Sequence, residues 1–250
     1  MLQSKKLEYI EISSNLKIAK LLLENLINTI PVKLSNKYDI DVYTRACSDL
    51  GGDYYDFFYD KNKSTIMLLD ISDHNLACLL LSVYMKAIVD KTIEIINSPS
   101  DMIEILTTYC HSLFKSILKF STISLMMFYK DKIIYSNEGN NIVLFKKNGE
   151  YNILNNSFKV IGFWSKKIPE YEIEIKEDDI LVICTDGLVD FFNKSIIQFK
   201  IDDLAKVIND NREESLRVIK EHIMEEYIKK NNNEFNDDIT FILIRSKSNG

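Results

Sequence analysis

Apolar residues recur along this chain with two different periods, one typical of helices and the other typical of strands. Over residues 4–30 the apolar positions alternate spacings of three and four, which is a heptad seam: Tyr9, Ile12, Leu16, Ala19, Leu23, Leu26 and Ile30. Pro31 ends this segment because proline lacks an amide hydrogen and restricts the residue before it. The pattern predicts one amphipathic helix, which either packs on its own domain or serves as a dimerising or signal-transmitting helix.

The rest of the chain contains segments with each of these two periods. Runs rich in Tyr, Phe, Val and Ile predict strands at 39–45, 54–60, 64–70, 120–129, 132–138, 142–147, 171–176, 179–185 and 238–245. Helical spacing predicts helices at 76–96, 101–118, 202–209 and 212–229. Asn148-Gly149 predicts a hairpin. This order of elements indicates an α+β fold with largely antiparallel sheets.

Composition narrows the class of protein. The 250 residues include only 3 prolines and 7 glycines, so we expect one domain, 32–250, preceded by a helical appendage, 1–31. The 31 basic and 37 acidic residues give a net charge of −6, which argues against nucleic acid as a partner. No apolar run reaches the ~18 residues of a membrane span. Because the 4 cysteines form no Cys-x-x-Cys pair, we expect reduced thiols and a cytoplasmic location.

Four aspartates carry the candidate chemistry, each at the edge or end of a predicted strand: Asp53, Asp70, Asp186 and Asp237. A buried strand fixes the position of the residue at its end, and two carboxylates ~4 Å apart repel by about 4 kcal/mol at an effective dielectric of ~20. Oxygen-rich sites of this kind select Mg²⁺, Mn²⁺ or Ca²⁺. The pattern therefore predicts a metal centre built from distant parts of the chain, although each aspartate alone also fits an ordinary turn or helix cap.

The order of the motifs is more specific than any single motif. In sequence order they are Gly51-Gly52-Asp53-Tyr54-Tyr55-Asp56, Asp70-Ile71-Ser72, Thr185-Asp186-Gly187 and Asp237-Asp238-Ile239-Thr240. This ordered set resembles the metal-dependent protein phosphatase superfamily, most closely the bacterial branch that contains SpoIIE and RsbU. Softer matches lie at 136–141 and 160–162.

The chain departs from the family's Asp-Val-Ser-Gly-His-Gly motif at Asp73 and Asn75, which replace both glycines. Asparagine tolerates a left-handed backbone, so we expect Asn75 to preserve the turn. Asp73 is expected to add negative charge beside the metals.

The resemblance implies a four-layer αββα sandwich, in which two mainly antiparallel sheets lie between outer layers of helices. It also implies two Mn²⁺ or Mg²⁺ ions in the central cleft, where they activate a water for attack on a phosphoryl group. The implied ligands are Asp53, Asp70, the backbone carbonyl of Ile71, Asp186, and Asp237 rather than Asp238.

Two further side chains near these motifs are not among the implied ligands. His74 either protonates the leaving seryl oxygen or is a turn residue that faces solvent. Asp56 is expected to support Asp53, or the groups that surround the metal ligands, and not to bind metal directly.

The implied function is a metal-dependent serine/threonine protein phosphatase in bacterial partner-switching signalling. Its substrate would be a phosphorylated anti-sigma-factor antagonist of the STAS type or a similar regulatory protein, with an upstream sensor protein as a further partner. One alternative is a regulatory pseudophosphatase, motivated by the altered turn at 73–75. A second is a diguanylate-cyclase-like enzyme acting on GTP, which leaves the motifs at Asp186 and Asp237 unexplained. A third, a coiled-coil adaptor, accounts only for residues 4–30.

The heptad seam predicts a homodimer formed through residues 4–30. A seam of this length covers its apolar stripe when two copies pair. Light scattering at micromolar concentration should therefore give the mass of a dimer. A monomer under these conditions would contradict the prediction.

Overall fold

The computed structural model describes residues 2–48, 50–154, 160–161, 168–189 and 198–247, and among these the side chains from residue 14 onward. The described residues form six helices: α1 Leu2–Leu26, α2 Val32–Ser35, α3 Leu76–Thr92, α4 Pro99–Ile117, α5 Ile201–Asp210 and α6 Leu216–Lys230. They also form ten strands: β1 Tyr38–Arg45, β2 Asp53–Tyr59, β3 Ser64–Ile71, β4 Ser121–Phe128, β5 Ile133–Glu138, β6 Asn141–Phe145, β7 Tyr151–Ile153, β8 Tyr171–Ile173, β9 Ile180–Cys184 and β10 Ile239–Ser246. Gly162 and the side chains of Tyr9 and Ile12, on which parts of the sequence interpretation depend, lie outside the described residues.

Two sheets of five strands each lie at the centre of the fold. The first has the strand order β1-β10-β9-β6-β7 and the second has the order β2-β3-β4-β5-β8. Every pair of neighbouring strands in these sheets is antiparallel. Helices α5 and α6 cover the outer face of the first sheet, and α3 and α4 cover that of the second. This arrangement confirms the predicted α+β fold, a four-layer αββα sandwich.

Apolar side chains on both faces of the central strands explain why the layers stack. In β3, Ile66 and Leu68 point into the layer between the sheets, whereas Met67 and Leu69 pack under α3 and α4. Strands β9 and β10 follow the same rule in the other sheet. Because successive side chains of a strand point to opposite faces, a strand that is apolar throughout needs cover on both sides.

Helix α1 ends at Leu26, earlier than the predicted end at residue 30. The backbone N–H of Asn28 donates to the carboxylate of Asp56 (2.7 Å), and its side-chain amide donates to the carbonyl of Phe57 (2.8 Å). These bonds direct the chain onto β2, because an N–H inside a helix would bond to the carbonyl four residues earlier. Pro31 then precedes the short helix α2, which periodicity did not predict.

The other predicted elements are confirmed in type and differ at their ends. Helix α4 begins at Pro99 with Ser98 as its N-cap, before the predicted start at residue 101. Strand β8 covers only the first part of the predicted run 171–176. The predicted hairpin is present, since β6 and β7 pair around Gly149, which has a φ of +89°. Among the described helices, none is long and apolar enough to cross a lipid bilayer.

The described part of α1 packs on its own domain. Leu23, a seam residue, and Ile27 contact the core between the second sheet and its helices. On other parts of the helix surface, Ile18, Leu21 and Leu22 are 52%, 57% and 61% exposed. These residues, and not Leu23, are therefore the apolar side chains that the helix leaves uncovered here. Both the homodimer and the division of the chain at residue 31 stay predictions.

Asp56 lies on the helix-facing side of β2 and not beside Asp53. The two residues are three apart in the strand, so their side chains point to opposite faces. The fully buried carboxylate of Asp56 accepts hydrogen bonds from Lys86 of α3 (2.8 Å), from Tyr54 (2.6 Å) and from the Asn28 backbone. The expectation that Asp56 supports Asp53 is therefore wrong: it joins α1, β2 and α3.

Lys86→Met should lower the free energy of unfolding by about 3–5 kcal/mol, because it leaves Asp56 charged and buried without its cation. Only 9% of the Lys86 side chain and none of the Asp56 side chain is exposed. Urea unfolding at pH 7 measures the change.

Arg217→Met is the matched control, since it breaks an exposed ion pair with Glu221 on α6. This change should alter the free energy of unfolding by less than about 0.5 kcal/mol. Equal effects of the two substitutions would contradict the structural importance of the Asp56–Lys86 pair.

Candidate metal centre

Asp53 and Asp70 face each other on neighbouring strands. Asp53 begins β2, Asp70 lies next to the end of β3, and the two are direct partners in the antiparallel register. They share strand parity with Phe57 and Leu68, which belong to the apolar layer between the sheets. Their carboxylates therefore point toward the space between the two sheets.

Asp186 and Asp237 reach the same end of the sandwich from the other sheet. Asp186 lies in the turn after β9, and Asp237 lies just before β10. Strands β9 and β10 are neighbours, with Cys184 opposite Phe241. The charges of Asp186 and Asp237 both act on Asp70. The structure thus brings together the four predicted aspartates, which we call the acid cluster.

Burial and mutual repulsion disfavour the charged forms of these carboxylates. Burial, followed by the charge of Asp70, raises the pKa of Asp53 well above its ordinary value. Burial, followed by the charges of Asp186 and Asp237, raises the pKa of Asp70 in the same way. Burial also raises the pKa of Asp237. A divalent cation opposes these effects because it offsets the negative charges at close range.

Two threonines of the first sheet hold Asp53 from across the cleft. Thr185 donates through Oγ1 to Oδ2 of Asp53 at 3.0 Å, and the Thr240 side chain also hydrogen-bonds to Asp53. The Oγ1 of Thr185 accepts a hydrogen bond from the backbone N–H of Thr240 at 3.1 Å. These bonds connect the two sheets at the acid cluster. The sequence assigned neither threonine a role, although each lies close to a predicted aspartate.

Asp238 supports the site, a role that the sequence did not indicate. Its carboxylate is 3% exposed and accepts hydrogen bonds from the backbone N–H groups of Cys47 (2.7 Å) and Gly52 (2.5 Å). These bonds hold the connection between β1 and β2 against the start of β10. Asp237, by contrast, exposes 43% of its side chain and is accessible to a cation. This difference fits the choice of Asp237 as the ligand.

Two glycines let these segments approach closely. A Cβ on Gly52 would lie 2.2 Å from the carbonyl oxygen of Ile71, and a Cβ on Gly187 would lie 1.8 Å from that of Asp238. Backbone atoms cannot move away as a flexible side chain can, so only glycine fits at either position. Both glycine motifs therefore reflect close packing around the acid cluster.

The turn after β3 differs from the expectation in two ways. Asp73, and not Asn75, has the left-handed backbone, with a φ of 76°. Asn75 is instead the N-cap of α3, where its side chain accepts from the N–H of Ala77 at 3.0 Å. The Asp73 side chain is 57% exposed and forms an ion pair with Lys119. The expectation that Asn75 provides the left-handed residue is therefore wrong, and the expected negative charge of Asp73 is paired with Lys119.

His74 lies against the two acids that precede β10. Its Nδ1 is 2.8 Å from Oδ2 of Asp238, and its Nε2 is 3.7 Å from Oδ1 of Asp237. Its side chain is 32% exposed. The imidazole is thus held at the edge of the acid cluster, where solvent still reaches it.

The softer match at 136–141 forms a buried support behind Asp70. Asn140 donates through its amide to the carbonyl of Leu68 (3.0 Å) and accepts from the hydroxyl of Thr122 (2.5 Å). Thr122 is the register partner of Asp70 on β4. Asn137 donates to the Asn140 carbonyl at 2.7 Å, which fixes the turn between β5 and β6.

A cavity of about 250 Å³ lies between α1 and the acid cluster. Asp53 and Asp238 line one side of the cavity, and Leu23 of α1 lines another. Lys20 and Glu24 of α1 also line it, and the Arg45 guanidinium stacks on the ring of Phe235 (3.5 Å to the ring centroid). Lys20 therefore brings one positive charge to the cavity, beside the negative charges of Glu24, Asp53 and Asp238.

The donor atoms of the acid cluster fit hard divalent cations. Carboxylate and backbone carbonyl oxygens are the ligands that Mg²⁺ and Mn²⁺ prefer. Asp53, Asp70, Asp186 and Asp237 supply such carboxylates, and the carbonyl of Ile71 lies at the same strand end. Their raised pKa values mark a place where bound positive charge would relieve repulsion.

Two stacked antiparallel sheets with acids at one end are the architecture of the metal-dependent protein phosphatase superfamily. The family model of Stage II sporulation protein E (SpoIIE) matches residues 60–247. The chain therefore belongs to the SpoIIE family, as its motifs predicted.

Individual relatives agree with this assignment. Phosphoserine phosphatase RsbP of Bacillus subtilis (strain 168) is 24% identical over 63% of this chain and 41% of its own length. Phosphoserine phosphatase RsbU of the same organism is 22% identical over 95% of this chain and 71% of its own length. The SiaA-PP2C domain of Pseudomonas aeruginosa has the same fold, with a TM-score of 0.79 and 17% identity over 98% of both chains. The chain thus spans less than half of RsbP and most of RsbU.

Asp70→Asn should stabilise the metal-free protein at pH 7. Because the pKa of Asp70 is raised in the folded state, the folded chain binds protons more tightly than the unfolded chain. Its stability therefore falls as the pH rises from the ordinary aspartate pKa of about 3.9 through the folded value. Removing this carboxylate should raise the thermal midpoint in chelator by about 2–4 °C for each kcal/mol of repulsion relieved.

Added Mn²⁺ should reverse the order of the thermal midpoints of Asp70→Asn and the wild-type protein. It should raise the midpoint of the wild-type protein, because binding to the folded state alone stabilises that state. It should have little effect on Asp70→Asn. A lower midpoint for Asp70→Asn than for the wild type in chelator would contradict the proposed repulsion.

Proposed function

We propose that this chain is a metal-dependent phosphatase that removes phosphate from phosphoserine or phosphothreonine on a small regulatory protein. The observation that carries the proposal is the meeting of Asp53, Asp70, Asp186 and Asp237 at one end of the sheets, with raised pKa values for Asp53 and Asp70. Such crowding destabilises a fold, so it is expected where a cation is used. Membership in the SpoIIE family supports the same class of reaction.

The side chains of the acid cluster and the carbonyl of Ile71 would hold two Mn²⁺ or Mg²⁺ ions. Bound there, the ions would supply an acidified water for attack and positive charge for the phosphoryl oxygens. The chain itself keeps the ligands in position. Thr185 holds Asp53 from the opposite sheet, and strand register holds Asp70 directly across from Asp53.

We assign His74 the role of proton donor to the leaving group. In the doubly protonated ring, Nδ1 donates to Asp238 and Nε2 carries the proton that would pass to the leaving seryl oxygen, which leaves a neutral ring protonated at Nδ1. Asp238 fixes the orientation of the ring, and the exposed edge of the imidazole is open to a substrate. This assignment favours the acid role of His74 over that of a simple turn residue.

The substrate is inferred from charge and from the relatives. Lys20 lines the cavity beside Asp53 and can attract a phosphoryl group, with Glu24 as an acidic neighbour in the same cavity. RsbP and RsbU carry the name phosphoserine phosphatase, which supports a phosphoserine substrate. We therefore infer a phosphorylated STAS-type anti-sigma-factor antagonist as the substrate, and an upstream sensor protein as the controlling partner, in the bacterial cytoplasm.

The pseudophosphatase alternative rested on the altered turn at 73–75. Asp73 pairs with Lys119, and Asn75 caps α3, so neither residue alters the acid cluster directly. We therefore prefer an active enzyme. The cyclase alternative has no support in the family to which the chain belongs.

Asp186→Asn should reduce Mn²⁺-dependent hydrolysis of p-nitrophenyl phosphate and of a phosphoserine protein by at least about 100-fold, because an amide is a much weaker ligand. Circular dichroism should be unchanged, since Asp186 is itself exposed and asparagine has nearly the same shape. Asp131→Asn is the matched control in the exposed turn between β4 and β5, and it should keep wild-type activity.

Hydrolysis of these two substrates distinguishes an active phosphatase from a pseudophosphatase. Activity retained by Asp186→Asn would overturn the metal assignment. Wild-type protein that binds Mn²⁺ but hydrolyses neither substrate would support the pseudophosphatase.

A further inference from the structure

Beside the acid cluster, three side chains of different chemistry come together. One ligand atom each from Cys47, His74 and Asp237 lies within 4.8 Å of the other two. Cys47 follows β1, His74 follows β3 and Asp237 precedes β10, so three separate segments contribute. All three residues are partly exposed, which leaves the site accessible from solvent.

This set of donors differs in kind from that of the acid cluster. It offers one sulfur, one imidazole nitrogen and one carboxylate oxygen, whereas the acid cluster offers oxygen alone. Thiolate and imidazole favour Zn²⁺ over Mg²⁺ or Mn²⁺. Three protein ligands and one open position are a frequent arrangement around accessible Zn²⁺. Donor atoms around a tetrahedral Zn²⁺ are roughly 3.3–3.8 Å apart, so small side-chain rotations would close the site.

Asp238 already holds two of the three residues in place. Its Oδ2 bonds to Nδ1 of His74 at 2.8 Å, and its Oδ1 accepts from the backbone N–H of Cys47 at 2.7 Å. A carboxylate on one imidazole nitrogen commonly orients the other nitrogen toward a metal. Here the other nitrogen, Nε2, lies 3.7 Å from Oδ1 of Asp237. Hydrogen bonds that need no metal therefore orient the His74 ring and fix the backbone at Cys47.

We propose that Cys47, His74 and Asp237 form a binding site for Zn²⁺ that differs from the proposed Mn²⁺ or Mg²⁺ centre in its sulfur and nitrogen donors. When Zn²⁺ binds, the Cys47 thiol releases its proton to solvent and the sulfur–metal bond forms. The two sites share Asp237, so Zn²⁺ withdraws a ligand from the acid cluster and also occupies His74. Zn²⁺ is thus an inhibitor of the phosphatase. This last consequence rests on the proposed function, whereas binding of Zn²⁺ does not.

Cobalt spectroscopy tests the site without any assay of activity. Co²⁺ added to chelator-treated protein should give the near-ultraviolet charge-transfer band of a cobalt–thiolate bond. Zn²⁺ should displace the Co²⁺ and remove the band. Cys47→Ser should lack the band, while Cys110→Ala should keep it, because Cys110 is a buried thiol in the core beneath α4. Absence of the band in folded wild-type protein, or its persistence in Cys47→Ser, would overturn the proposal.

Affinities give a second readout that does not depend on the fold of one variant. In competition with a chromophoric chelator, Cys47→Ser and Cys47→Ala should each bind Zn²⁺ at least about 10-fold more weakly than the wild type. Their affinity for Mn²⁺ should be unchanged, because Cys47 is not a ligand of the acid cluster. Equal loss of Zn²⁺ and Mn²⁺ affinity would show general damage to the site. It would overturn the proposal that Cys47 is a ligand of Zn²⁺ alone.

The inhibitory consequence is measured by turnover. With Mn²⁺ present, Cys47→Ser should hydrolyse p-nitrophenyl phosphate at the wild-type rate, but half-inhibition should need about 10-fold more Zn²⁺. Equal sensitivity of the two proteins would overturn the inhibition. A cobalt–thiolate band in a protein without turnover would support the zinc site and contradict the proposed phosphatase, so the two proposals fail separately.

Discussion

Repulsion among carboxylates that two sheets bring together is the constraint on which the rest of this structure depends. Sheet register places Asp53 against Asp70, and the segments beside β9 and β10 add Asp186 and Asp237. The sandwich tolerates this crowding because apolar layers cover both faces of both sheets. Hydrogen bonds such as that from Thr185 then hold the sheet ends together across the acids. The position that destabilises the apo fold is also the one that can bind cations.

Two adjacent aspartates, Asp237 and Asp238, have different roles at this end of the fold. Asp238 is buried and accepts hydrogen bonds from the Cys47 and Gly52 backbone, so it maintains the geometry. Asp237 is partly exposed and can serve as a ligand. Asp238 also orients His74, which connects the proposed proton transfer to the same carboxylate. One buried residue therefore supports both the oxygen donors and the neighbouring nitrogen and sulfur donors.

Similarity to a solved structure indicates which parts of this fold tolerate substitution. At 17% identity, the SiaA-PP2C domain shares the fold with a TM-score of 0.79, so most side chains can vary while the layers persist. The close approaches are less tolerant, because Gly52 and Gly187 contact backbone carbonyls that cannot move aside. Both glycines belong to the short motifs by which the sequence resembles the family, so the order of these motifs was informative about the family.

The sequence by itself determined the order and type of the elements, the αββα class by resemblance, and the four aspartates that now lie together. Periodicity and motif order are local properties, and a single chain displays them directly. Only the tertiary structure decided where α1 ends, because Asn28 bonds to Asp56, 28 positions away. It also decided that Asp56 faces the helices and that Asp238 supports the site, since the bond from Cys47 to Asp238 spans 191 positions. Contacts over such distances leave no local pattern, so they emerge only when the sheets have paired and the layers have packed.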